Sequence, residues 1–193
     1  MLFCRESSLS ISITSLKLAN GEERIIEIDP GEAFGRGNQP STRLCIKGIE
    51  NIFKRKKVDR VLDVGCGTGV LALCAAALGA DTVLALDVDP IAVEEAKINV
   101  KKNGFSNIQV MYDSLKGIND KFDLVLANLG TVEILNISEE LKSKLKSDGL
   151  LLVSGIWLTG QKEMVVQRFR ELGLFPDEEL SEGGWIALLF KLS

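Results

Sequence analysis

Val61-Leu62-Asp63-Val64-Gly65-Cys66-Gly67-Thr68-Gly69-Val70 decides how this chain is read. The apolar run Val61 to Val64 predicts a buried strand, the alternating glycines a turn, and the residues from Thr68 an apolar helix. Strand, glycine turn and helix N-terminus together make a site for an adenosine-bearing ligand. Glycine backbone passes close to a ligand without a Cβ, and the helix end offers unpaired N–H groups and a partial positive charge. Three alternating glycines also occur in ordinary strand-to-helix turns, so the neighbouring residues must decide.

Two carboxylates sharpen the reading. Thr82 to Leu86 predicts a second parallel strand ending in Asp87, 24 residues beyond Asp63. A carboxylate at that tip accepts both hydroxyls of a ribose. Asp63 sits just before the glycines, where it would repel a pyrophosphate but suit a cationic amine. A dinucleotide site also wants G-x-G-x-x-G, whereas here the third glycine, Gly69, comes one residue early and Val70 takes the close-packing place. Charge and spacing therefore favour S-adenosyl-L-methionine over NAD, with Asp63, Gly65, Gly67, Gly69 and Asp87 as expected cofactor-binding residues.

Downstream, β and α patterns alternate. The sequence predicts strands over 59–64, 82–87, 107–111, 122–127 and 149–154, with helices over 68–78, 90–103, 132–146 and 159–172. Two last strands near 174–180 and 184–191 join at Glu182-Gly183-Gly184, a hairpin signal. The fold expected is α/β and Rossmann-like: a mostly parallel seven-stranded sheet, helices on both faces, an antiparallel last strand. Ahead of it, Leu9, Ile11 and Ile13 alternate with polar residues, Asn20-Gly21 signals a turn, and Arg24 to Ile28 returns. Residues 1–28 thus read as an N-terminal β-hairpin extension and 29–193 as the main domain. Residues 29–42 form a loop rich in Gly and Pro, of a length that usually covers something, and a helix opens at Pro40-Ser41-Thr42. Ligands on such sheets bind beyond the strand carboxyl ends. The tips there are Asp63 to Gly65, Asp87, Tyr112-Asp113 and Asn128.

Composition bounds the chemistry. The 193 residues suit one domain, and a net charge of −4 argues against an affinity dominated by nucleic-acid phosphates. The basic run Lys54-Arg55-Lys56-Lys57 reads either as a local patch or as a solvated helix end favoured by the dipole. The chain has no histidine, and its four cysteines (Cys4, Cys45, Cys66, Cys74) lack C-x-x-C spacing. No Cys/His metal site, Ser-His-Asp triad or imidazole base is therefore expected. Met1 to Ser10 lacks the apolar core of a signal peptide, and Gly79, Asp81 and Asp87 break the apolar run 70–88. A soluble cytoplasmic protein without a membrane partner is expected; no feature of the sequence selects an oligomeric state.

The strand tips resemble those of class I S-adenosylmethionine-dependent methyltransferases. The loop Ile28-Asp29-Pro30-Gly31-Glu32-Ala33-Phe34-Gly35-Arg36-Gly37-Asn38-Gln39-Pro40-Ser41-Thr42 is similar to the signature of the PrmA family, which methylates the eleventh protein of the large ribosomal subunit. Phe122 to Asn128 (Phe-Asp-Leu-Val-Leu-Ala-Asn) matches as well, and the likeness covers about residues 25 to 191. The resemblance implies that Thr42 contacts the cofactor's methionine portion, Gly65 lies against the cofactor, and Asp87 holds its ribose. It places Asn128 beside the sulfonium and the incoming nucleophile. Asp113 reads, by strand-tip position, either as a partner of the adenine amino group or as a turn-forming Asp before Ser114.

The chain departs from the family pattern in two places. Asn38-Gln39-Pro40 stands where the family has Thr-His-Pro, and about 28 residues precede the loop where the family carries a separate substrate-recognition domain. Leu129-Gly130 follows Asn128, so the Asn-Pro-Pro-aromatic pattern of adenine and glutamine methylation is missing. The expected function is N-methylation of a protein amine (a lysine or an N-terminal amine), with a ribosomal protein as the substrate the resemblance implies; methylation of a small molecule or RNA, and cofactor binding without turnover, stand as alternatives. Phe34 and Trp157 are read either as lining an acceptor channel or as core.

Overall fold

The computed structural model describes residues 12–18, 21–29 and 31–193. Leu9, Ile11, Asn20 and Pro30, and the Met1–Ser10 segment, lie outside the described residues.

Seven strands make one sheet, in the order β5-β4-β3-β6-β7-β9-β8. Its centre is β3 (Arg60–Val64), paired in parallel with β4 (Thr82–Asp87) on one side and β6 (Phe122–Asn128) on the other. Beyond them lie β5 (Ile108–Tyr112), parallel to β4, and β7 (Leu145–Trp157), parallel to β6. The hairpin β8 (Leu174–Glu182) and β9 (Trp185–Leu192) closes the edge, with β9 antiparallel to β7. Gly183 and Gly184 have φ of +56° and +85°, the two left-handed positions that a tight hairpin turn requires. The chain winds outward from β3 to β5, then crosses to β6. The strand order therefore reverses between β3 and β6, and a crevice opens at their carboxyl ends.

Helices cover both faces: α1 (Pro40–Arg55), α2 (Val70–Ala77), α3 (Pro90–Lys102), α4 (Thr131–Asn136), α5 (Ser138–Ser143) and α6 (Lys162–Glu171). Every residue of α2 is buried, which explains why it reads apolar all round. The helix expected over 132–146 is instead two short ones. The Ser138 hydroxyl donates to the Leu135 carbonyl at 2.9 Å and accepts from Arg168 Nε at 2.8 Å. That bonding competes with a continuous i→i+4 ladder. From Leu145 the chain is already strand, pairing with Phe122.

The hairpin of β1 (Ser12–Lys17) and β2 (Glu23–Ile28) forms its own two-stranded sheet. Leu16, Ile26 and Ile28 are fully buried in the same core as α1 and α2. The inward face of β1 also carries Thr14, whose hydroxyl occupies the space a Cβ on Gly37 would need.

The basic run ends α1. Arg55 pairs with Asp177 and Glu178, Lys56 with Asp148, and Lys57 with Asp59. Three of its four cations are thus paired, as at a solvated helix end. Among the described residues no helix is long and apolar enough to cross a membrane.

Candidate active site

A cleft of about 830 Å³ lies over the carboxyl ends of β3, β4, β5 and β6, within the usual range for a small-molecule site. Of the residues expected to bind the cofactor, Gly65, Gly67, Asp87, Asp113 and Asn128 line it. Thr42, Asp63 and Gly69 do not, and each holds another part of the site in place.

The glycine turn is built by its backbone. The Gly65 and Cys66 amides both donate to the Leu86 carbonyl at 2.9 Å, which ties the tip of β3 to that of β4. Gly65 has φ +67°, and a Cβ there would overlap the Leu129 side chain. At Gly69 the missing Cβ makes room for α3, whose Ala96 Cβ would be 3.2 Å away. Gly69 is therefore the close-packing glycine of helix against helix, a place the spacing alone assigns to Val70.

Asp87 accepts the Gly67 amide on Oδ2 at 2.9 Å and the Asp89 amide on Oδ1 at 3.0 Å. Two backbone donors fix the carboxylate, and lone pairs remain on both oxygens for a further ligand. Asp113 takes the Ser114 amide on Oδ1 at 2.7 Å, so it is a turn-forming Asp that also lines the cleft.

Asp63 points away from the cleft. Its Oδ2 accepts the Ala72 amide at 3.0 Å, in the first turn of α2, and its Oδ1 is buried without a partner. Gly69, the residue before α2, supplies no side-chain cap, so Asp63 caps the helix from the neighbouring strand. Burial pushes the Asp63 carboxyl up to about 7; the Ala72 amide opposes this and the Asp87 charge adds to it. Burial likewise pushes the Cys45, Cys66 and Cys74 thiols well up, which removes them as thiolate nucleophiles.

Thr42 is fully buried and its Oγ1 accepts from Asn128 Nδ2 at 3.2 Å. That bond fixes the Asn128 side chain and leaves its Oδ1 buried and unpartnered at the cleft. A lone buried acceptor costs about 1–3 kcal/mol, so an N–H donor from a ligand would be stabilising here. The floor beside Asn128 comes from a bulge in β7: Gly155, at φ +87°, lets the backbone approach Leu129. Ser154 Oγ sits between the Ser41 and Ile186 carbonyls at 3.2 and 2.9 Å.

The loop 31–39 roofs the turn, and α3 with its C-cap residue holds the chain from the end of β2 into that loop by one row of side chains spaced i, i+4, i+8. Glu95 accepts the Glu32 and Ala33 amides at 2.7 and 3.0 Å. Asn99 accepts the Asp29 amide at 2.8 Å, and Asn103 accepts the Glu27 amide at 3.0 Å. Phe34 lines the cleft with more than half of its surface exposed. Trp157 does not line it; Trp185 does, packed edge-on against Trp157 at 5.1 Å. The antiparallel register that pairs these two tryptophans across β7 and β9 is the signal that finds Trp185. Gln39, the residue before α1, lines the cleft as well.

Among the charged residues of the lining, carboxylates prevail: Glu32, Asp87, Asp89, Asp113, Glu133 and Glu140, against Lys116. Such a cleft favours cationic ligands and disfavours polyphosphates. Among the described residues no group of His, Cys, Asp or Glu is placed to hold a metal ion.

A seven-stranded sheet of this order, with a glycine turn and an acidic second-strand tip at its switch point, defines a Rossmann-like methyltransferase fold. The family model described as "Ribosomal protein L11 methyltransferase (PrmA)" matches residues 7–193, and the chain belongs to that family. A ribosomal protein L11 methyltransferase of Clostridium perfringens is 38% identical over 173 residues, covering 89% of this chain and 54% of the relative. One from Clostridium botulinum is 39% identical over 176 residues, covering 91% and 55%. The chain thus spans about half the length of the curated relatives it matches. The crystal structure of a ribosomal protein L11 methylase from Lactobacillus delbrueckii subsp. bulgaricus superposes with a TM-score of 0.80 at 35% identity, covering 87% of this chain and 86% of that one.

Proposed function

We propose that this chain is an S-adenosyl-L-methionine-dependent N-methyltransferase acting on a protein amine, a lysine or an N-terminal amine, in the cytoplasm. The observation that carries the reading is Asn128: its amide nitrogen is held by Thr42, and its oxygen is buried and unpartnered beside the glycine turn. The cofactor fits the residues present. Gly65 and Gly67 leave the turn free of Cβ atoms, Asp87 offers a fixed carboxylate to the ribose hydroxyls, and Asp113 is available to the adenine amino group. Thr42, in the first turn of α1, would act on the cofactor's methionine side through its bond to Asn128. The acidic lining suits a cationic cofactor and a cationic acceptor alike.

Bound, S-adenosylmethionine supplies a methyl group already activated on a sulfonium. The chain's own work is alignment and control of charge. A lysine amine has a pKa near 10.4, so about one in a thousand is neutral at pH 7. Desolvation in the cleft lowers that value and favours the neutral, nucleophilic form. Asn128 Oδ1 accepts an amine N–H and turns the lone pair toward the methyl group. The chain has no histidine, and none is needed when the amine's proton leaves to water before transfer.

The relatives are named for ribosomal protein L11, and that protein is the first substrate to test. Purified protein is incubated with radiolabelled S-adenosylmethionine, L11 and fractionated cell extract. Label in L11 or another protein band supports the reading. Label confined to RNA or small molecules overturns the substrate, and cofactor binding without any label overturns turnover.

A further inference from the structure

The tip of β6 is joined to its two neighbours by different seams. Toward β7 the backbone pairing runs to the tip: the register extends to Asn128 and Ser154, and the Leu129 amide donates to the Ser154 carbonyl at 3.1 Å. Toward β3 the register stops at Val64 and Ala127, just before the glycine turn. Beyond that pair the Leu129 side chain reaches across the switch point and seats on Gly65, its Cδ2 standing where a Cβ on Gly65 would be. Leu129 is also held from behind. Its carbonyl oxygen takes the space that a Cβ on Gly155 would need, at the bulge of β7. Two residues on, the Thr131 hydroxyl donates to Gln161 Oε1 at 2.7 Å, and the same oxygen accepts the Trp157 amide at 2.8 Å. Gly65, Leu129 and Gly155 come from three adjacent strands and all line the cleft. Both glycines are left-handed, at φ +67° and +87°, and their missing Cβ atoms form a slot for one leucine.

We propose that Leu129 is a positioning residue: its side chain is the spacer that sets the separation between the glycine turn and Asn128. The inference rests on the methyltransferase reading above. In that reading the turn at the end of β3 carries the cofactor and Asn128 at the end of β6 carries the acceptor. The two reactants thus sit on strand tips whose shared ladder has already ended, and a side chain has to fix the gap between them. In-line transfer is sensitive to that gap, since a misplacement of about 1 Å can cost about a hundredfold in rate. A leucine pressed onto a Cβ-free backbone gives a close-packed, poorly compressible contact. Truncation to alanine removes the spacer and leaves the backbone bonds to β7 in place. Methionine has nearly the same volume and reaches the same distance, so it refills the slot. Leu129 remains partly buried against the core beneath α4 to α6, which keeps its side chain from swinging out into the cleft.

The test compares the full chain as wild type, Leu129→Ala, Leu129→Met, Gly65→Ala and the Gly65→Ala, Leu129→Ala double variant. Calorimetry gives S-adenosylhomocysteine affinity, and single-turnover transfer to L11 gives the rate on chain saturated with S-adenosylmethionine. Leu129→Ala should bind S-adenosylhomocysteine within about threefold of wild type yet transfer about tenfold or more slowly, and Leu129→Met should recover most of that rate. Gly65→Ala should weaken S-adenosylhomocysteine about tenfold or more in the wild-type background and at least about threefold less in the Leu129→Ala background. The strain of an alanine at positive φ is common to both backgrounds and cancels, so the difference reports the contact with Leu129. If Leu129→Ala does not fold, Leu129→Val, which shortens the side chain and still fills part of the slot, replaces it throughout. An unchanged transfer rate in Leu129→Ala, or an equal loss from Gly65→Ala in both backgrounds, overturns the spacer and leaves the methyltransferase reading standing. Equal losses of affinity and rate in Leu129→Ala place the residue in the cofactor site and also overturn it. A wild type that binds S-adenosylhomocysteine but does not methylate L11 overturns that substrate, and the Gly65 cycle, which needs no acceptor, still decides the spacer. A wild type that binds no S-adenosylhomocysteine overturns both.

Discussion

The Thr68 amide donates to the Phe34 carbonyl at 2.9 Å, fastening the loop before α1 onto the glycine turn after β3. Thr68 Oγ1 adds a bond to the Gly35 carbonyl at 2.5 Å, and the Asn99 amide nitrogen reaches the Thr68 carbonyl at 3.0 Å. The loop is thus held from below by the turn and from the side by α3. Roof and floor of the cleft form one hydrogen-bonded unit, so damage to the turn should be felt in the loop.

Gly67 tests that coupling. Its φ is +54°, and a Cβ there would overlap the Phe34 carbonyl oxygen, which is backbone and cannot swing aside. Gly67→Ala should lose about 1–3 kcal/mol of stability from strain and displaced loop. It should also weaken S-adenosylhomocysteine by about tenfold or more. Thermal unfolding and calorimetry read the two effects. An alanine variant with unchanged affinity would show that the loop does not shape the cofactor site.

Asp87 combines two duties: it holds the Gly67 and Asp89 amides and presents a carboxylate to the cleft. Asp87→Ala removes both, and cofactor affinity should fall by about a hundredfold, the scale of losing charge-assisted hydrogen bonds to a buried ligand. Asp87→Asn keeps one oxygen acceptor and should fall between the two. Calorimetric titration with S-adenosylhomocysteine decides, and wild-type affinity in Asp87→Ala would remove the ribose assignment.

The sheet was legible because its signals are strong and local. Val61 to Val64 and Phe122 to Asn128 are apolar runs bounded by clear turns, and both are buried central strands. Three features depended on contacts the sequence does not display. Asp63 sits one residue from a cleft-lining strand tip, but the alternation of a strand sends its side chain to the other face, under α2. The break at Ile137 comes from Ser138 and its partner Arg168, 30 residues away in the chain. Trp185 enters the cleft only because β9 returns antiparallel beside β7, opposite Trp157. Local pattern gives elements; long-range pairing chose which of their side chains face the ligand.

Thr42 illustrates a residue whose effect passes through another. Its hydroxyl accepts from Asn128 Nδ2 at 3.2 Å and does not line the cleft. Thr42→Val keeps the shape and deletes the acceptor, at a cost of about 1 kcal/mol in stability. Freed of that anchor, Asn128 should orient the amine less well. Methyl transfer should fall by about tenfold while S-adenosylhomocysteine affinity changes by less than about threefold. Comparing single-turnover rate with binding separates the effects; equal losses in both would place Thr42 directly against the cofactor.

Asp63 gives the pH dependence a definite sign. Unfolded, its carboxyl titrates near its ordinary value of 3.8; folded, burial raises it to about 7. Below both values it is protonated in either state and carries no penalty. Between about pH 4 and 7 the unfolded chain has released the proton that the folded one keeps, so this group's contribution to stability falls as pH rises. Above about 7 both states are ionised and the penalty is constant. Asp63→Asn removes the titration and keeps an oxygen for the Ala72 amide. Denaturant unfolding at pH 5 and pH 8 should show wild type losing stability relative to the variant as pH increases. The opposite slope would mean that the Ala72 amide and the positive end of α2 outweigh burial and hold Asp63 ionised in the folded state.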